Sequence, residues 1–68
     1  MITQKIQTDF IRLDALLKLA NAAQTGGQAK WMIQDGTVTV NGEICTQRGK
    51  KIRVGDIVTV GDQMITVE

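Results

Sequence analysis

The sequence predicts an α+β fold: two short packed helices followed by a small curled antiparallel sheet. Three observations predict it. Leu13, Leu16, Leu17 and Ala20 recur at the spacing of one helical stripe. Thr25 and Gln28 have the spacing of a capping box ahead of a second apolar run, and Gly36 stands where that helix would end. From Thr37 the apolar period changes to two, broken by turn pairs at Asn41-Gly42, Gly55-Asp56 and Gly61-Asp62. The chain has 68 residues, 43% of them apolar and 22% charged, which suits one small globular domain over residues 1–68.

The elements follow in order. In "MITQKIQTDFIR", Ile6, Thr8 and Phe10 share one side at period two, so residues 1–11 read as a strand or extended arm. "LDALLKLANAA" carries the leucine stripe, with Lys18 on its flank and Asp14 in the first turn, where the helix dipole favours an acid. Thr25 caps a second helix expected from Gly26 to about Asp35. Two glycines in its first turn each lower helix propensity by about 0.8–1.0 kcal/mol, so close approach of another backbone is expected there, from the first helix or from a ligand. "TVTVNGEIC" places Val38 and Val40 on one face and then turns at Asn41-Gly42, where both central residues of a type I′ turn need positive φ. Residues 61–68 supply a last strand.

Charge is unevenly placed. Net charge is +1, yet Arg48, Lys50, Lys51 and Arg53 put half of the eight Lys and Arg residues within "TQRGKKIR", uninterrupted by an acid. Such a run is either a solvated surface that protects a sheet edge or part of an anion-binding face. The two arginines, suited to bidentate phosphate contacts, and Gly49, which admits a close ligand, favour binding.

Catalytic constellations are missing. There is no histidine, which excludes Ser-His and Cys-His nucleophile pairs and zinc sites built on Cys and His clusters. The seven acids are scattered, and Asp56 and Asp62 follow turn glycines, where Asp is structural. Cys45 is the sole cysteine, expected as a small buried or edge hydrophobe in a chain without disulfides. "TGGQAK" lacks the glycine spacing and Lys-Ser/Thr ending of a phosphate-binding P-loop. No leader-like or membrane-length apolar run is present, so a cytoplasmic location is expected.

Binding signals remain. On a helical wheel Ala29, Met32 and Ile33 cluster towards the core, while Gly27, Lys30, Trp31 and Gln34 point away. Lys30 then sits beside a glycine-opened helix start, where an anion is favoured; a solvated lysine is the plainer alternative. Trp31 is expected to cover the N-terminal arm beside Phe10 or Ile6, with stacking on a base as the alternative.

The run "RLDALLK", "GGQAKWMIQDG", "VTVNGE" and "RGKKIRVGDIVTV" resembles the S-four RNA-binding domain, the alpha-L motif, in its short stand-alone bacterial form. The resemblance covers residues 12–60 as the core motif. It implies a non-enzymatic module for structured RNA, ribosomal or transfer RNA, acting in ribosome assembly or translation. It implies no cofactor, metal, membrane or small-molecule substrate. The ribosome or its precursor is the implied wider partner. Carried over by position, the RNA-binding residues are Thr25, Gly26, Gly27, Gln28 and Lys30 at the second helix and Arg48, Lys50, Lys51 and Arg53 in the basic stretch. Many members have arginines in the first turn of that helix, where this chain has Gly26, Gly27 and Gln28; the difference moves the expected binding weight to the stretch after Cys45. Two other readings are a protein-interaction module and a detached accessory domain of an RNA-modifying enzyme.

Overall fold

The computed structural model describes residues 2–68. Strand β1 (Ile2–Gln4) and strand β2 (Ile11–Arg12) precede helices α1 (Leu13–Leu19) and α2 (Gly26–Gln34). Strands β3 (Val38–Val40), β4 (Glu43–Ile44), β5 (Lys51–Ile52), β6 (Ile57–Val60) and β7 (Gln63–Val67) follow. Five of them form one sheet in the order β1-β7-β6-β3-β4, and β2 pairs with β5 separately. The expected α+β order holds.

The leucine stripe forms α1 as the spacing requires: Leu13, Leu16 and Leu17 are fully buried. The helix stops early because Asn21 takes φ 61°. The amide of Ala22 then donates to Leu17 O at 2.8 Å and that of Asn21 to Lys18 O at 3.1 Å, which closes the last turn as a Schellman motif. Helix α2 ends the same way. Gly36 at φ 83° follows Asp35, and the amides of Gly36 and Thr37 donate back to Ile33 O and Met32 O. Its start carries the expected cap, the Gln28 amide donating to Thr25 Oγ1 at 3.0 Å.

Inward residues of the sheet, Val38, Val40, Val58, Val60, Ile65 and Val67, meet Leu13, Leu16, Leu17, Ala29 and Ile33 from the helices and Ile52 from β5 in one core. The Asn41-Gly42 turn has φ 52° and 89°, as type I′ demands. Gly61 at φ 59° opens the β6–β7 turn, where Val60 pairs with Gln63.

The N-terminal arm differs from its expected form. β1 pairs parallel with β7, Ile2 opposite Ile65, so the first segment closes the sheet beside the last. The period-two run does not continue to Phe10. Ile6 packs against the core, and the Thr8 hydroxyl donates to Phe10 O at 2.7 Å. That local bond diverts the backbone from a ladder, leaving Thr8 and Phe10 exposed.

Candidate nucleic-acid interface

The basic stretch is held by the start of α1. The N-cap residue Arg12 provides no side-chain cap, and the Asp14 carboxylate serves the third amide, accepting from Ala15 N at 2.8 Å. The Leu13 amide donates to Lys50 O at 2.9 Å and the Asp14 amide to Arg48 O at 3.1 Å. Two orphan helix donors are thereby satisfied, and the loop backbone is fixed while its side chains stay outside. Arg48, Lys50, Lys51 and Arg53 are all exposed.

Residue Lys51 lies in β5 directly opposite Arg12 of β2. Like charges facing each other across a strand pair destabilise it. Each has a partial remedy. The Arg12 guanidinium contacts Asp14 at 3.3 Å, and the Lys51 ammonium stands 4.9 Å from the centre of the Phe10 ring. The Arg12–Asp14 contact is the single ion pair among the described residues, so the other cations of this face have no carboxylate in direct contact. Arg12 also reaches over Gly49, its Nη2 being 3.7 Å from where a Cβ there would lie. The space left by Gly49 is thus shared with a side chain of the same face.

Two neighbouring depressions organise these cations. One is lined by Arg12, Asp14, Lys18, Arg48 and Gly26, which brings the opening of α2 to the basic stretch. The other, of about 780 Å³, lies between the β3–β4 hairpin and the segment carrying Lys50, Lys51 and Arg53. Arg48 therefore faces the helices and the other three cations face the hairpin. Lys30 is exposed one turn beyond Gly26 and lines neither depression.

A polar clasp closes the hairpin side. Asn41 Nδ2 donates to Asp56 Oδ1 at 3.1 Å, and the Arg53 amide donates to Asp56 Oδ2 at 2.8 Å. Asn41 Oδ1 accepts from the Ile57 amide at 2.9 Å, and the Asn41 amide donates to Ile57 O at 2.7 Å. The Arg53 amide, then the Asn41 side chain, hold the Asp56 carboxyl below the usual aspartate range; Lys50 and Arg53 add to this, while partial burial opposes it. Asp56 is structural, as read from the sequence. It fixes the wall on which Arg53 stands.

The start of α2 is less equipped than its expected role. Thr25 Oγ1 is engaged with the Gln28 amide, and Gln28 Oε1 accepts from the Gln24 amide at 2.6 Å. Around Gly26 nothing would meet an added Cβ within 4 Å, and Gly27 would meet only Thr25 Oγ1 at 4.0 Å. The first helix therefore does not press on these glycines; the space is open. Trp31 corrects an expectation: it is 66% exposed and does not cover the arm. It lies on the α2 side opposite Ala29 and Ile33, so the core never needed its area. Cys45 is half-buried against the core. Arg12 and Lys18 are additions that sequence reading missed. Lys18 reads as a helix flank, and Arg12 joins the cations only through the β2–β5 register.

Comparison with known proteins places this geometry. A family model for the S4 domain matches residues 4–68. The chain is similar to the probable ribosome maturation protein RlbA of Bacillus subtilis (strain 168), 46% identical over 55 residues that cover 81% of this chain and 78% of that protein. It is similar to the solution structure of YbcJ from E. coli, whose alpha-L motif is described as involved in RNA-binding. That match has 32% identity and a TM-score of 0.76, and covers 98% of this chain and 86% of YbcJ. A crystal structure of a pseudouridylate synthase matches with 28% identity and a TM-score of 0.74 over 82% of this chain, which spans only 24% of the synthase. With its helix pair and clasped hairpin inside the matched span, the chain belongs to the S4 domain family.

Proposed function

We propose that this chain binds structured RNA, without catalysing a reaction on it, through the face formed by Arg12, Lys18, Arg48, Lys50, Lys51 and Arg53. The observation that carries the reading is the opposition of Arg12 and Lys51 within a group of cations that has one carboxylate partner. A fold that holds like charges together gains when a polyanion arrives. Gly26 and Lys30 border the face, while Thr25, Gly27 and Gln28 shape the turn that presents it. Phosphates supply affinity, and helix shape with 2′-hydroxyl contacts supplies discrimination.

Ribosomal RNA is the target class, with transfer RNA second, and the setting is ribosome assembly or translation. The likeness to a probable ribosome maturation protein supports this. The likeness to part of a pseudouridylate synthase favours one other reading, an accessory RNA-holding domain that serves a separate enzyme. Co-purification with such an enzyme, absent from ribosomal particles, would mark that reading.

The test is titration of labelled ribosomal RNA with wild type and with Lys50→Glu/Lys51→Glu. Both lysines are exposed, and Lys51→Glu relieves the like-charge opposition to Arg12, so the thermal midpoint should not fall. Affinity should fall by about two orders of magnitude, because two phosphate contacts become repulsions. Unaltered affinity in the double variant overturns the proposal.

A further inference from the structure

The depression beside the hairpin holds more than cations. Ile44 and Val54 are 68% and 62% exposed, the most exposed aliphatic side chains among the described residues, and both line it. Scattered apolar residues on a surface are ordinary. Here two of them share one concavity with Lys50, Lys51 and Arg53. A paired RNA helix has no use for such a floor, because its base faces are hidden in the stack and it presents phosphates, riboses and base edges. A ligand that matches both parts has a flat apolar face joined to an anion.

We propose that this groove takes a single unpaired nucleotide, its base lying against Ile44 and Val54 and its phosphates held by Lys50, Lys51 and Arg53. The inference rests on the RNA-binding reading and names the part of the RNA that enters here. Asp56 is held against the wall by Asn41 and the Arg53 amide, and its charge offsets only part of the field of Lys50 and Arg53. The volume of about 780 Å³ lies in the range of sites that hold small organic ligands. The clasp ties the hairpin to the segment that carries Arg53, which holds the two sides of the depression together.

Two labelled RNA hairpins test the proposal, one with an unpaired bulge and one fully paired, each titrated with wild type and with Ile44→Ser/Val54→Ser. Wild type should bind the bulged hairpin about five- to tenfold more tightly, the lower end of the range for a base stacked on an aromatic side chain, since the contacts here are aliphatic. The serine variant should lose that preference and bind the paired hairpin as wild type does. Equal wild-type affinity for both hairpins, or a preference that survives the serines, overturns the nucleotide slot and leaves the RNA-binding reading standing. Binding to neither hairpin defeats the RNA reading itself. If the serines instead remove the chain from ribosomal particles with RNA affinity intact, the groove belongs to a protein and the proposal falls. Both positions are exposed, and an unchanged thermal midpoint verifies that the variant folds.

Discussion

At residues 48–53 the backbone is tied down and the side chains are free; at the start of α2 the arrangement is reversed. The carbonyls of Arg48 and Lys50 accept from α1, Lys51 and Ile52 sit in a ladder, and the Arg53 amide donates to Asp56. Four cations then project from a fixed frame. In the α2 turn, Thr25 and Gln28 give their polar atoms to the cap, and the glycines beside them have no side chain to offer. A ligand meeting the first region orders little more than long side chains. At the second it meets backbone and open space. Preorganisation of this kind raises affinity by lowering the entropy lost on binding, so most of the binding energy should come from the basic stretch.

The difference can be broken most forcefully by charge reversal on each side. Against the loss expected for Lys50→Glu/Lys51→Glu, Lys30→Glu should weaken RNA binding by less than about fivefold, since it acts at a distance through screened solvent. Equal losses in parallel titrations would show the two regions to be equivalent.

The frame can be attacked next. Asp56→Ala removes a charged acceptor from two donors and should destabilise the fold by about 1–3 kcal/mol in denaturant melts. RNA affinity should fall with it, because Arg53 and the hairpin lose their common anchor. The carboxyl is held below its ordinary range in the folded state, so its contribution is present above the unfolded value. Wild-type stability should therefore decline as pH falls below about 4 and continue to decline through the depressed folded pKa. A variant whose acid melting profile matches wild type would remove Asp56 from the frame.

The smallest effect sharpens the other side. Gly27→Ala meets open space at helical φ and should stabilise the fold by about 0.4–1 kcal/mol. If RNA backbone approaches this turn closely, the added methyl group should lower affinity even as the melting temperature rises. Unchanged affinity would confine the glycines to a structural role.

Much of this was legible in the sequence where the determinant is local. The α1 stripe follows from spacing, the α2 cap from Thr25 and Gln28, and the hairpin from the positive φ that Asn41-Gly42 tolerates. The parallel β1–β7 pair was not legible, because it joins the two ends of the chain and no local period encodes it. Arg12 escaped for the same reason: its place opposite Lys51 is a matter of register between distant segments. Trp31 was misjudged through size alone, since a large aromatic is needed in the core only if the remaining stripe leaves a gap. The basic stretch stood out in the sequence, but its division between two depressions depends on how α1 grips its carbonyls.

The salt dependence of RNA affinity tests the central claim most directly. With three to five phosphates held by this face, a plot of log affinity against log salt should have a slope of about −2 to −4.5, shallower by about 1.4–1.8 in Lys50→Glu/Lys51→Glu. A wild-type slope near zero, or one that the double variant leaves unchanged, would contradict the account.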